Sequence, residues 1–254
     1  MTGNGRLVAG NALVGKVIDT SSTEEFMVQV SSQASAPELV RIVEALDAKS
    51  AGFRRILGDP AHRPPADELR SVLRSIFATR RRADEIVGAV GSERLAEACL
   101  ELVHVGEMSD TALARFERVL APVDAVPFEL AFELLHFTRP ERFWLWTRWI
   151  FDPRTETGAL RLLTTDDFDL FGVDTGETYL KVGAALAFLD EHARASRAAG
   201  LDAGPFTLDV LLACVYAVYM YTVLRLRMTQ EFNRIVPALP EMVRRLLGVQ
   251  HTEV

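Results

Sequence analysis

The stretch VLLACVYAVYMYTVL at residues 210–224 carries no charged side chain and is the most apolar segment of the chain. Asp209 and Arg225 flank it, so the uncharged run is only fifteen residues long. Because a helix needs about 20 apolar residues to cross a bilayer, this length favours a helix buried inside the protein. We therefore predict a mainly α-helical, irregular multi-helix globular domain built around a central apolar helix at 207–228.

Helix signals extend from this segment towards both ends of the chain. The run SAPE at 35–38 is a capping box with proline in the first turn, and apolar residues follow it at steps of three and four. We predict a single helical domain over 35–254, with a potential sub-boundary in the proline-rich segment near 58–66. Cap residues predict further helices that begin near Ser92, Ser109, Asp124, Asp174, Thr207 and Pro240.

Two segments depart from the helical pattern and predict a minor β element. Residues 6–31 are rich in valine with interspersed glycine and asparagine, which indicates an N-terminal arm or short strands within 1–34. The second segment, RFWLWTRWIFDPRTETGALRLL, holds two apolar runs around a turn-like DPRTETG. It predicts either a hairpin near 144–163 or a helix that ends at Phe151 and is followed by a loop.

Charge and cysteine content limit the compartment and the partners. The formal net charge is −7, so phosphate backbones and anionic membranes are disfavoured partners. Cys99 and Cys214 are far apart and lack metal-binding spacing, as expected for reduced thiols in a cytoplasmic protein. Residues 1–18 lack the pattern of a signal peptide, so we predict a cytoplasmic location without a membrane span.

Two Glu-x-x-His pairs carry the metal hypothesis. They are Glu101 with His104 and Glu133 with His136, and Glu129 is the leading candidate for a lone carboxylate ligand beside Glu97 and Glu117. Di-iron and di-manganese helical bundles use two such pairs with two further glutamates. The alternative is that these polar residues lie on a solvent-exposed helix face or face another helix.

All three tryptophans of the chain fall within a short segment interleaved with arginines. Tryptophan and arginine are favoured anchors of protein interfaces, so this pattern predicts a partner-binding surface. The alternative is a core in which the rings fill volume while the arginines reach solvent. The residues of this predicted aromatic–arginine surface are Arg142, Trp144, Trp146, Arg148 and Trp149.

Residues 111–150, with LLHFTRPERF at 134–143, resemble the helical stretch of the helix-hairpin-helix DNA glycosylases. PVDAVPFELA at 122–131 replaces the glycine-rich hairpin of that family, and no lysine stands at the position of its nucleophile. The resemblance implies a related helical shape without the family's catalytic residues. One alternative function is therefore a helical nucleic-acid-binding protein.

The sequence contains no phosphate-binding glycine loop, no GxSxG nucleophile elbow and no HExxH motif. We therefore assign no catalytic residue and predict no cofactor, with iron or manganese as the alternative in an oxidase-like enzyme. The preferred prediction is a non-catalytic accessory protein that binds a protein partner. It would do so through the aromatic–arginine surface or through the C-terminal segment 231–249.

Overall fold

The computed structural model describes residues 17–106, 110–124, 128–196, 200–227 and 237–250. These residues are mainly helical, which confirms the predicted fold class. A short 3-10 helix covers Leu160–Leu162. The α-helices are α1 (Thr20–Gln33), α2 (Ala36–Leu57), α3 (Ala66–Arg74), α4 (Ala83–Val90), α5 (Ser92–Val103), α6 (Asp110–Leu120), α7 (Glu129–Thr138), α8 (Thr175–Ser196), α9 (Thr207–Arg227) and α10 (Leu239–Leu246).

Helix starts follow the cap residues that the sequence indicates. At the start of α2 the Glu38 carboxylate accepts hydrogen bonds from the Ser35 backbone N–H at 2.8 Å and from the Ser35 hydroxyl at 2.6 Å. Helix α9 begins at Thr207, whose hydroxyl donates to the carbonyl of Asp202 at 2.8 Å. Glu38 thereby satisfies the backbone N–H of the residue before α2, and Thr207 ties the start of α9 to the preceding segment.

The expectation of strands near the N-terminus is wrong for the described part of that segment. Residues 20–33 form helix α1, and residues 1–16 lie outside the described residues. Asp19 caps this helix by accepting from the backbone N–H of Ser22 at 3.1 Å. The cap and the packing of α1 against α9 override the weak strand preference of its valines.

The segment 144–163 forms neither a regular hairpin nor a helix that runs to Phe151. Residues 144–147 have no regular secondary structure, and within the following loop Asp152 and Thr157 form an antiparallel bridge. The other isolated bridge of the described residues pairs Ile18 with Thr164. The predicted minor β element is therefore not confirmed beyond these two bridges.

Gly158 has a backbone that only glycine adopts readily, because its φ is 131°. A Cβ atom there would lie 2.4 Å from the carbonyl oxygen of Ile150. We expect Gly158→Ala to lower the free energy of unfolding by about 2 kcal/mol, as measured by urea denaturation. Gly52, inside α2 with open space around it, is the matched control, and Gly52→Ala should raise stability by up to about 1 kcal/mol. Equal effects at the two positions would contradict this assignment.

The chain divides into two compact units. The described residues of the first unit are those between 47 and 147 together with 171–180. Helix α7 is the centre of this unit, since all ten of its residues are buried. Helices α6 and α7 flank the cavity discussed below, and α5 packs against both of them.

The second unit comprises the described residues of 17–46, 148–170 and 181–250. Its centre is α9, and residues 207–215 of this helix are buried without a break. Helices α1 and α10 pack against α9. None of the described helices combines the length and the apolar character needed to cross a membrane.

Both cysteines are buried and form no disulfide. Burial raises the pKa of each thiol to about 12, because an apolar environment disfavours the charged thiolate. Cys99 and Cys214 are therefore unreactive core residues in this structure.

Candidate functional site

The structure places all three tryptophan rings of the predicted aromatic–arginine surface in the interior. Trp144 is 7 %, Trp146 1 % and Trp149 9 % exposed. The Trp146 ring lies 5.1 Å from the ring of Phe128 and 4.8 Å from that of Phe132, measured between centroids. The indole rings thus occupy the core position that the sequence left open as an alternative, and a partner could not reach them without rearrangement.

The two arginines of that predicted surface remain exposed. The guanidinium of Arg142 donates to the carbonyl of Gly106 and lies 5.7 Å from the centroid of the Phe143 ring. Arg148 is exposed at the start of the turn at 148–150. The structure therefore separates the residues that the sequence pattern had grouped, with guanidinium groups outside and indole rings inside.

In the first Glu-x-x-His pair, at the end of α5, the two side chains point in different directions. Glu101 is exposed, whereas the Nε2 atom of His104 lies 3.0 Å from the carbonyl oxygen of Leu57. Glu97, a further candidate ligand, is also exposed. The imidazole of His104 thus holds the end of α5 against the end of α2.

The second pair is fully enclosed on α7, where Glu129, Glu133 and His136 are all buried. The Nδ1 atom of His136 lies 2.9 Å from the carbonyl oxygen of Phe143. Among the described residues, no three His, Cys, Asp or Glu side chains come together as metal ligands. The two pairs are therefore not joined into one ligand set in the described structure.

Glu133, on the polar face of α7, belongs to a buried ion pair. The Nζ atom of Lys49 lies 3.1 Å from Oε2 of Glu133, and the two side chains are 4 % and 6 % exposed. The ammonium group also lies 3.9 Å from the centroid of the Phe137 ring. Burial raises the pKa of Glu133, the charge of Lys49 lowers it, and the neighbouring Glu129 raises it.

Sequence reasoning missed Lys49, although a signal was present. Lys49 follows Leu46 by three residues and precedes Phe53 by four, so it stands on the apolar stripe of α2. A lysine on such a stripe needs a buried partner. Because Lys49 was overlooked, no buried partner for Glu133 was expected, and a solvent-exposed position for Glu133 was therefore considered.

A solvent-open groove runs between α5 and α6, with a volume of about 420 Å³. Its floor includes the buried side chains of Ala98, Leu102 and Phe116. Four charged residues line it, all exposed, and three of them are arginines. These residues are Arg94, Glu101, Arg115 and Arg118.

The guanidinium groups of the three arginines in the α5–α6 groove have no described partner. None of these side chains forms a hydrogen bond or an ion pair with another described residue. Several other arginines are paired, as Arg55 is with Glu68 at 3.0 Å and Arg74 with Asp84 at 3.0 Å, whereas Arg54 and Arg81 also lack described partners. The groove is thus a cationic rim over an apolar floor in a chain of net charge −7.

A second, smaller cavity of about 230 Å³ lies on the other side of α6, against α7. Apolar side chains form most of its wall, and Glu117 and Thr175 are its polar lining residues. Glu117, which the sequence offered as a metal ligand, is exposed there. None of the tryptophans lines either cavity.

Comparison with family models, curated proteins and solved structures finds no match for this chain.

Proposed function

We propose that this chain is a non-catalytic interaction protein that binds an acidic, amphipathic helical segment of a partner protein in the α5–α6 groove. The observation that supports this function is the set of three exposed arginines without internal partners around an apolar floor. Arginine is enriched at protein interfaces and binds carboxylates in a fixed, bidentate geometry.

The proposed partner segment follows from the shape and charge of the groove. Two neighbouring helices with an apolar floor offer the geometry in which an amphipathic helix lays its own apolar face into a groove. Leu102 and Phe116 would contact leucine or phenylalanine side chains of such a helix. The three guanidinium groups would pair with its glutamates or aspartates.

A protein segment fits this groove better than a nucleic acid does. The floor is apolar, and Glu101 places a negative charge within the lining. A nucleic acid would extend its phosphates beyond the three arginines of the groove over a chain of net charge −7, whereas a short acidic segment can keep its carboxylates beside those arginines. The apolar side chains of an amphipathic peptide can contact the apolar floor of the groove, whereas a nucleic-acid duplex has no apolar side chains to place there.

We expect selection from a displayed random library of 12-residue peptides, the length of α5, to enrich acidic residues interleaved with leucine and phenylalanine at helical spacing. Synthetic versions of the enriched peptides, followed by fluorescence anisotropy, should bind the full chain. Arg115→Glu with Arg118→Glu should weaken that binding by at least about tenfold, because two attractive charges become repulsive. Added salt should weaken binding to the unmodified chain.

The matched control reverses two arginines that also lack described partners but lie outside the groove, Arg54 and Arg81. This double variant carries the same charge change and should bind the peptides within about threefold of the unmodified chain. An equal loss of peptide affinity in both double variants would mean that the net charge of the chain, and not the groove, determines binding. Enrichment of basic peptides, or tight binding of duplex DNA, would contradict the proposed partner class.

A further inference from the structure

The cavity between α6 and α7 has features of a ligand site that the proposed function does not use. We infer that it binds a small monocation, an ammonium group on a body of about one aromatic ring. The cavity is lined by Phe116, Phe128 and Phe132, with Glu117 and Thr175 as polar residues. This inference is independent of peptide binding in the α5–α6 groove.

The volume of about 230 Å³ sets the size of the ligand. An apolar cavity of about 150 Å³ is known to accept benzene, whereas drug-sized ligands occupy roughly 300–1,000 Å³. The α6–α7 cavity falls between these values. It therefore has room for a single ring with a short side chain and not for a nucleotide or a peptide.

The aromatic wall is held in place by the core behind it. The Phe132 ring is stacked on Tyr179 at 5.0 Å and lies 4.8 Å from the Trp146 ring, between centroids. The hydroxyl of Tyr179 in turn accepts from the backbone N–H of Trp144 at 2.9 Å. A wall fixed in this way costs little ordering entropy on binding, and aromatic faces attract cations.

The charge at the cavity selects a cation. Glu117 is its one lining residue with a formal charge, and this carboxylate forms no ion pair or hydrogen bond with another described residue. Leu120 and Ala121, at the carboxyl end of α6, also line the cavity. The carboxyl end of a helix carries partial negative charge, so both electrostatic contributions favour an ammonium group.

The test compares three probes of nearly equal size by isothermal titration calorimetry on the full chain. They are 2-phenylethylammonium, the neutral 2-phenylethanol and the anionic 3-phenylpropionate. We expect the ammonium compound to bind at one site with an affinity at least about fivefold above the alcohol. The carboxylate should show no binding up to about 10 mM, where a weak fragment would still be detected.

Two variants localise the binding. Glu117→Gln keeps the size of the side chain and should remove the preference for the ammonium over the alcohol, whereas Glu97→Gln, on an exposed residue outside both cavities, should leave it unchanged. Ala121→Phe places a ring into the cavity from an exposed position and should abolish binding of both probes. Thermal unfolding of each unliganded variant verifies that it is folded.

Three results overturn the inference. One is the absence of binding by every probe to the unmodified chain. Another is equal affinity for the ammonium and the alcohol, which would leave an apolar cavity without charge selection. The third is equal loss of the preference in Glu117→Gln and Glu97→Gln, since net charge alone would then explain it. None of these results bears on the acidic peptide, which binds a different groove.

Discussion

Replacing Trp146 by alanine is expected to lower the free energy of unfolding by about 3–5 kcal/mol. The ring is 1 % exposed and lies among the largest fully buried side chains of the described residues. It contacts the rings of Phe128 and Phe132 at centroid distances of 5.1 and 4.8 Å. Its removal leaves a cavity that these rings, themselves held by neighbours, cannot fill.

This prediction distinguishes the two interpretations of the tryptophan-rich segment, a partner-binding surface and a protein core. If Trp146 were an interface anchor, alanine would weaken partner binding and leave urea-induced unfolding almost unchanged. As a core residue, it should shift the unfolding midpoint while the slope with urea concentration stays constant. Phe77 is the matched control, since its ring is 42 % exposed, and Phe77→Ala should cost no more than about 1 kcal/mol. If Trp146→Ala lowered the free energy of unfolding as little as Phe77→Ala, the partner-binding interpretation of Trp146 would be favoured.

The difference between the predicted and observed roles of the tryptophans has a physical reason. Arg142 and Arg148 are indeed exposed, so the alternation of arginine and tryptophan does mark two sides of one segment. The sequence does not reveal which side faces solvent, because interface cores and protein cores favour the same aromatic residues. Only the packing of Phe128 and Phe132 against Trp146 decides between them.

The helices were more predictable than the sites, because helix signals are local. The Glu38 carboxylate accepts from the Ser35 backbone N–H, as one half of the expected capping box, and α9 begins at the expected Thr207. The expectation failed at α1, where strand-forming valines lie in a helix. Its cap, Asp19, was readable from the sequence, but packing against α9 depends on residues almost two hundred positions away.

The groove and the cavity could not be predicted from residue spacing. Arg94 lies on one helix and Arg115 and Arg118 on the next, so their approach depends on how α5 packs on α6. Their lack of internal partners depends on the position of every nearby carboxylate. Glu117 was noticed as a metal ligand, and the structure instead places it at an aromatic-lined cavity.

The second large effect is expected at Lys49. Lys49→Met should lower the free energy of unfolding by about 3–5 kcal/mol, because it leaves the Glu133 carboxylate buried without its cation. The side chains of this pair are 4 % and 6 % exposed, so water cannot replace the lost partner. The exposed pair of Arg74 with Asp84 is the control, and Arg74→Met should cost no more than about 1 kcal/mol.

A second substitution distinguishes a lost charge partner from lost packing volume. Adding Glu133→Leu to Lys49→Met removes the stranded carboxylate and replaces the pair by apolar side chains of similar size. Most of the lost stability should return, since replacing both members of a buried ion pair is often neutral or stabilising. If the double variant were less stable than Lys49→Met alone, the electrostatic explanation would fail and packing around Phe137 would account for the loss.

The pH dependence of Lys49→Met gives an independent test of the same pair. Burial already raises the pKa of Glu133, and the Lys49 charge opposes that rise, so removing the lysine raises the pKa further. Glu133 in the folded variant then binds a proton more tightly than in the unfolded chain, where the pKa of a glutamate is about 4.3. Its stability should therefore fall as pH rises from that value through the raised pKa. Relative to the unmodified chain, the loss of stability in Lys49→Met should be smaller at about pH 5 than at about pH 8. A loss that does not change with pH would mean that water reaches the Glu133 carboxylate once Lys49 is removed.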